Sequence, residues 1–138
     1  MPMKLADKTC IPCQKGGSPL VGEAISRYLA VLGGGWQVIE DHHLEKVYKF
    51  KNFLEALAFT NAVGQIAEQQ SHHPEITLSW GFVSMRLWTH KVDGLTENDF
   101  ILAAKADGVY PTVASPAAAP KKSALINSEG DPLSLTLP

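Results

Sequence analysis

The spacing of apolar positions divides most of the chain into seven predicted elements. Apolar residues at a period near 3.6 indicate helices, and strict alternation indicates strands. The elements follow the order helix, strand, strand, helix, strand, strand, helix. The predicted ranges are 18–32 for the first helix, 36–40 and 44–50 for the first strand pair, 52–70 for the second helix, 75–80 and 83–90 for the second strand pair, and 96–106 for the last helix.

Capping residues support the helix boundaries. Ser18-Pro19 predicts an N-cap followed by proline at the first helical position, and Asn52 and Thr96 are typical N-caps for the other two helices. The second helix should end before Pro74, because the residue that precedes a proline avoids the α conformation.

Strands that are consecutive and joined by short turns predict antiparallel hairpins. Three helices packed on one face of a four-stranded antiparallel sheet then give an α+β fold of two layers, in the order αββαββα. Residues 1–17 are predicted to be an irregular lead-in and residues 18–109 the folded domain. Residues 110–138, rich in alanine and proline, are predicted to be a flexible tail.

Composition narrows the classes of function. Hydrophobic residues make up 45% of the 138 and charged residues 19%, with a net charge of −2. This balance gives no electrostatic reason to expect binding to nucleic acid or to an acidic membrane. No apolar run approaches the roughly 18 residues that span a bilayer, and the first ten residues lack the apolar core of a signal peptide. We therefore expect a cytoplasmic protein.

The two cysteines, Cys10 and Cys13, form a C-x-x-C pair in the lead-in. Such a pair can be a redox motif or half of a zinc site. No second C-x-x-C completes a zinc ribbon, and no strand-then-helix context precedes the pair. Two reduced thiols in a loop are the simplest interpretation.

Five titratable residues form the candidate site: Glu68, His72, His73, His90 and Asp99. On a continued helix, Glu68 and His72 would lie four residues apart on one face, where the carboxylate could orient the imidazole. His73 precedes Pro74, which fixes its backbone as extended. Imidazoles held at the end of an element suit acid–base chemistry near neutral pH.

Simpler interpretations stay open on residue types alone. A histidine is most often a surface residue or one with satisfied hydrogen bonds, and the second adjacent pair, His42-His43, is typical of a polar hairpin turn. Trp88 suits the core, an interface or a stacking surface for a flat ligand. Three histidines and an aspartate could also bind zinc or iron, but adjacent histidines diverge and no H-x-H or H-E-x-x-H is present.

The same residues resemble the signature of the pterin-4a-carbinolamine dehydratase family. The stretch EQQSHHPEITLSWGFVSMRLWTHKVDGLTENDF carries E-x-x-x-H-H-P, a following T-H pair and G-L-[ST]-x-x-D at matching distances. The similarity extends over about residues 33–107. The matching residues are Glu68, His72, His73, Pro74, Thr89, His90, Gly94, Leu95, Thr96 and Asp99.

The resemblance implies a dehydratase that converts a 4a-hydroxytetrahydropterin (4a-carbinolamine) into quinonoid dihydropterin. It recycles the pterin of aromatic-amino-acid hydroxylases without a metal or a cofactor. It also implies homodimers, often paired into homotetramers. His73 would be the main acid–base group, and His72 and His90 would flank the two faces of the pterin and share proton transfer. The substrate-binding or orienting residues would be Glu68, Pro74, Thr89 and Asp99.

Two positions depart from the family pattern, and two alternatives to catalysis remain. Ser71 stands where some members have an acidic residue, and Asn98 where some have arginine. The alternatives are a dimerisation cofactor and an assembly factor that uses the same fold without catalysis. The complete histidine set favours the enzyme.

Overall fold

The computed structural model describes residues 4–11, 18–114, 126–128 and 131–133. A 3₁₀ turn, Leu5–Asp7, precedes the domain. The helices are α1 (Gly22–Leu32), α2 (Phe53–Gln70) and α3 (Glu97–Val113), and the strands are β1 (Gln37–Ile39), β2 (His43–Lys49), β3 (Glu75–Ser79), β4 (Phe82–Leu87), β5 (Ile126–Ser128) and β6 (Asp131–Leu133).

The strands β1 to β4 form one antiparallel sheet in the order β1-β2-β4-β3. The two predicted hairpins are joined through their central strands, where Leu44 pairs with Leu87 and Tyr48 with Val83. Alternate residues of these strands are buried, while their neighbours Glu45 and Arg86 form an ion pair on the other face. The predicted α+β fold and its element order are therefore confirmed.

The core lies between the inner face of the sheet and the helices. Phe59 and Val63 of α2 and Phe100 and Leu102 of α3 are fully buried. Phe53, the first residue of α2, keeps 44% of its surface exposed although it is apolar. Helical spacing fixes the period of a stripe but not which side meets the sheet.

Two predicted N-caps are confirmed. The Asn52 side chain accepts a hydrogen bond from the Glu55 backbone N–H at 2.8 Å. Thr96 and Asp99 form a capping box. Each side chain accepts a hydrogen bond from the backbone N–H of the other residue. The second cap matters for the site, since it places Asp99 in the first turn of α3.

The predicted start of the first helix is wrong. Helix α1 begins at Gly22, after Val21, and not at Pro19. The Leu20 backbone N–H donates to the Leu95 carbonyl oxygen at 2.7 Å, so this stretch runs beside the loop before α3. A contact between residues 75 positions apart overrides the local capping signal.

The end of α2 turns the chain sharply into the site. Ser71 adopts the left-handed conformation (φ 54°), and its N–H donates to the carbonyls of Ala67 and Glu68. The His72 N–H also donates to the Ala67 carbonyl, at 3.1 Å. These bonds form a Schellman motif, which satisfies the last carbonyls of the helix. The helix therefore ends at Gln70, four residues before Pro74, and His72 no longer continues the helix.

Helix α3 extends past its predicted end, and the first residues assigned to the tail are helical. It reaches Val113 and includes Pro111. Tyr110 packs against Tyr48 and Phe50, and its hydroxyl donates to the Lys49 carbonyl at 2.6 Å. The spacing ended at residue 106 because Gly108 and Pro111 break the helical pattern. Beyond α3, β5 and β6 pair antiparallel; residues 115–125, 129–130 and 134–138 lie outside the described part.

None of the helices in the described ranges combines the length and apolar character that crossing a membrane requires.

Candidate functional site

A cavity of about 390 Å³ opens between the end of α2, the loop from β4 to α3, and residues 9–11 of the lead-in. Its volume falls within the roughly 300–1,000 Å³ of typical small-molecule sites. The lining residues are Thr9, Cys10, Ile11, Gln69, Gln70, Ser71, His72, His73, Trp88, Thr89, His90, Lys91 and Asn98.

His72 is fixed against a buried carboxylate. Its Nε2 atom lies 2.6 Å from Oδ1 of Asp99, whose side chain is completely buried. A carboxylate accepts hydrogen bonds, so we assign the ring proton to Nε2 of His72. The other ring nitrogen, Nδ1, is then the proton acceptor of the neutral imidazole.

Asp99 is held by further donors. Its Oδ2 atom accepts from the Thr89 hydroxyl at 2.9 Å and from the Thr96 backbone N–H at 2.9 Å. The start of a helix also favours a negative charge through the aligned peptide dipoles. Because these bonds fix both oxygens, Asp99 can hold His72 in one orientation.

His73 has a different environment. Its Nε2 atom lies 2.9 Å from Oε1 of Glu68, and the two side chains are 60% and 81% exposed. Glu68 therefore contacts His73 and not His72, so the predicted Glu68–His72 pairing is wrong. The pairing assumed a continued helix, whereas the left-handed Ser71 removes His72 from that face. Glu68 lies beside the cavity rather than in its lining.

His90 also lines the cavity, but its placement differs from the prediction. Strand β4 ends at Leu87, and His90 lies in the following turn. Its ring packs against Trp88 at a tilt of 41°, with the centroids 4.7 Å apart. The three histidines, His72, His73 and His90, thus line one cavity, and Trp88 lines it as well.

Thr89 links the cavity to its support. Its backbone pairs with Gly94 in an isolated bridge, and its hydroxyl donates to buried Asp99. A Cβ atom at Gly94 would lie 2.6 Å from the Pro19 side chain, so this position requires glycine. Pro74 lies between His73 and β3, where the chain turns toward the sheet. It is absent from the described lining of the cavity.

The second histidine pair is more than a polar turn. His42 lies in the turn, but His43 begins β2, and both rings approach Trp88, at 5.4 and 5.8 Å. His42 also contacts Asp93 through Nε2 at 2.8 Å. Burial lowers the pKa of His43 below its ordinary value, and the adjacent His42 lowers it further. The pair therefore packs against Trp88 without lining the cavity itself.

The sequence prediction missed eight residues of the described lining: Thr9, Cys10, Ile11, Gln69, Gln70, Ser71, Lys91 and Asn98. Cys10 and Ile11 are held by hydrogen bonds to Gln70 and Asn98, 60 to 88 positions away in the chain, which no local pattern reveals. Asn98 carried one signal, its departure from the family pattern. Cys13, the partner in the C-x-x-C pair, lies outside the described residues.

The predicted alternative of a metal site gains no geometric support. Across the described ranges, no group of three or more His, Cys, Asp or Glu side chains is arranged to hold a metal ion. Two of the candidate imidazoles are instead engaged by separate carboxylates, Asp99 and Glu68.

Comparison with known proteins gives one consistent result. The family model described as pterin 4 alpha carbinolamine dehydratase matches residues 18–109. A protein of Alkaliphilus metalliredigens with the assigned name pterin-4-alpha-carbinolamine dehydratase is 56% identical over 103 residues, which are 75% of this chain and 93% of that protein. A protein of Rickettsia canadensis with the same assigned name is 53% identical and covers 75% and 94%.

A solved structure agrees. The transcriptional coactivator/pterin dehydratase from Brucella melitensis superimposes with a TM-score of 0.64 at 30% identity. The match covers 67% of this chain and 99% of that one.

Proposed function

Because the chain belongs to the pterin 4 alpha carbinolamine dehydratase family, a family of hydro-lyases, we propose that it dehydrates a 4a-hydroxytetrahydropterin by histidine acid–base catalysis. The product is quinonoid dihydropterin, and the proposed role is to recycle the pterin of aromatic-amino-acid hydroxylases. The single observation that carries the mechanism is the meeting of His72, His73 and His90 in one cavity.

The reaction needs two proton transfers. The bond between C4a and the hydroxyl oxygen breaks, and an acid protonates that oxygen so that it leaves as water. A base removes the proton from the ring nitrogen N5, and its electron pair forms the C4a=N5 double bond. Groups with pKa values near neutral pH serve both steps well, and imidazole is the side chain of that kind.

The two adjacent histidines suit different tasks. His73 is exposed in the cavity, and its partner among the described residues is a surface carboxylate, so it can exchange protons with solvent between turnovers. This supports His73 as the main acid–base group. His72 is fixed by buried Asp99, which supports a positioned partner for proton transfer. His90 lies beside Trp88, where a flat ring could stack.

Neither proton transfer requires a metal or an organic cofactor, so we propose that the protein uses none. Activity that survives exhaustive chelation supports this part of the proposal, whereas activity lost on chelation and restored by one added metal contradicts it.

Variants of the three histidines test the mechanism. We expect His73→Ala to lower kcat by about 10²- to 10⁴-fold, the usual range for loss of a general acid or base. His72→Ala and His90→Ala should each lower it less. Leu54→Ala, at an exposed position of α2 outside the described lining, is the control. Stopped-flow absorbance of a synthetic 4a-carbinolamine measures all four. Equal rates for His73→Ala and the folded wild type would reject the mechanism.

A binding role on the same fold is the alternative. The coactivator part of the Brucella protein's description motivates it, and catalysis and binding do not exclude each other. We propose a cytoplasmic homodimer or homotetramer as the acting form. Light scattering coupled to gel filtration gives the mass, and a monomer at micromolar concentration would contradict the assembly.

A further inference from the structure

Residues Thr9, Cys10 and Ile11 line the cavity although the family match begins only at residue 18. We propose that this stretch is part of the substrate site, that Ile11 contacts an apolar face of the bound pterin, and that Asn98 is the positioning residue for Ile11. The inference rests on the proposed function, because it takes the ligand to be a pterin.

A single amide side chain holds the backbone of Ile11. The Ile11 N–H donates to Oδ1 of Asn98 at 2.9 Å, and Nδ2 of Asn98 donates to the Ile11 carbonyl at 2.6 Å. Two bonds from one planar group fix both the place and the orientation of the residue they hold. Asn98 itself is only 7% exposed, so its own position is set by packing.

A second bond joins the same stretch to the other wall of the site. The Cys10 N–H donates to Oε1 of Gln70 at 2.8 Å. Gln70 lies two residues before His72, and Asn98 lies one residue before Asp99. The lead-in therefore bridges the same two elements, the end of α2 and the start of α3, that the His72–Asp99 bond connects.

The residues before this stretch are docked as well. Leu5 is buried, the Lys8 ammonium lies 2.6 Å from the Glu97 carboxylate, and Lys105 donates to the Ala6 carbonyl at 2.7 Å. These contacts all reach α3. Ile11 thus has a defined position relative to the histidines instead of belonging to a loose chain end.

Ile11 nevertheless keeps 67% of its surface exposed. Its backbone is fixed, yet the described residues leave most of the side chain uncovered. Within the described lining, Ile11 and Trp88 are the large apolar residues among mostly polar ones. A pterin is flat, with apolar faces and polar edges. Small-molecule sites of this kind combine apolar walls with a few polar groups. A bound pterin would therefore cover Ile11.

Kinetics and binding separate this role from a purely structural one. The variants are Ile11→Ala, Asn98→Ala and the double variant. The control is Leu54→Ala, which removes the same three carbons from a residue that is 72% exposed at the far end of α2. The measurements are KM and kcat for a synthetic 4a-carbinolamine, and the Kd of 7,8-dihydrobiopterin from quenching of tryptophan fluorescence. Thermal melts confirm that each variant is folded at the assay temperature.

We expect Ile11→Ala to raise KM and Kd by about tenfold, because the variant loses part of the apolar contact that three side-chain carbons make with the ligand. Its kcat should stay within about twofold, because proton transfer is untouched. Asn98→Ala should produce the same change, and the double variant should exceed either single variant by no more than about twofold, since both act through one contact. Leu54→Ala should bind like the wild type, and Ile11→Leu should retain most of the affinity.

An unchanged Kd in Ile11→Ala overturns the substrate contact, and this result can be obtained even if the wild type shows no turnover. Full additivity in the double variant overturns the positioning role of Asn98. A wild type that binds dihydrobiopterin without turnover contradicts the proposed catalysis alone, and the comparison of Kd values still decides the role of Ile11. A wild type that does not bind dihydrobiopterin contradicts both.

Discussion

Asp99 and His72 form a buried pair in which Oδ1 of the carboxylate lies 2.6 Å from Nε2 of the imidazole. The pair joins the start of α3 to the chain just after α2, and it fixes the orientation of the His72 ring in the wall of the cavity. The adjacent His73 has no comparable support, since its carboxylate partner is on the surface. This difference between neighbouring histidines underlies the first two predictions.

Replacing the buried carboxylate should impair catalysis and stability together. Asp99→Asn retains the shape but places an amide where three donors converge, which leaves at least one donor unsatisfied. We expect kcat to fall by about tenfold or more, up to the loss in His72→Ala, through misorientation of His72, as when an orienting carboxylate is lost elsewhere. The free energy of unfolding should fall by about 1–3 kcal/mol. Steady-state kinetics and urea denaturation measure both, and a fully active, equally stable variant would contradict the pairing.

Replacing the exposed carboxylate should have a much smaller effect. Glu68→Gln keeps a hydrogen-bond acceptor for His73 and removes only a solvent-screened charge. Exposed pairs of this type contribute about 0–1 kcal/mol, so we expect stability within that range and kcat within about fivefold of the wild type. The same two assays apply. A loss of activity as large as that of Asp99→Asn would show that Glu68 has a direct role in proton transfer.

The stability of the loop that carries Thr89 should depend on Gly94, which pairs with Thr89. Gly94→Ala places a methyl group 2.6 Å from the Pro19 ring and disturbs the bridge to Thr89. We expect a destabilisation of about 1–3 kcal/mol from this overpacking. Gly64→Ala is the matched control, because nothing lies within 4 Å of the added carbon and alanine favours a helix. That control should raise stability by about 0.5–1 kcal/mol. A neutral Gly94→Ala would show that the loop adapts.

Stability should decline on the acidic side of neutrality partly through His43. Its pKa in the folded protein is below 6.5, so the unfolded chain binds this proton more readily. The free energy of unfolding therefore falls as pH drops from 6.5 to the lowered pKa, and this penalty is absent above that window. His43→Asn should reduce the slope of stability against pH over this range. Chemical denaturation at several pH values measures the slope, and identical slopes in both proteins would contradict the assignment.

The order of elements could be predicted from the sequence because each element carries its own periodicity and most carry a cap. Asn52 and Thr96 marked their helices correctly, since a capping bond spans only two or three residues. Ser18 and Pro19 misled, because the bond between Leu20 and Leu95 comes from the tertiary fold. Residues 110–113 were assigned to the tail from their composition, but they form the last turn of α3. Packing of Tyr110 against the core stabilises this turn.

The histidines of the site and Asp99 were predictable, but their pairing was not. The family signature identified the three histidines and Asp99, and all three histidines line one cavity. The exchange of partners, with Asp99 on His72 and Glu68 on His73, depends on one left-handed residue, Ser71, which no periodicity reveals. The docking of Ile11 on Asn98 joins residues 87 apart and was beyond any local pattern.

The most direct test of the central proposal is the dehydration rate of a synthetic 4a-hydroxytetrahydropterin, followed by stopped-flow absorbance with and without the wild-type protein at neutral pH. We predict that catalytic amounts accelerate formation of quinonoid dihydropterin well above the uncatalysed rate, and that His73→Ala removes most of the acceleration. A rate equal to the uncatalysed one, from folded protein that binds 7,8-dihydrobiopterin, would contradict it.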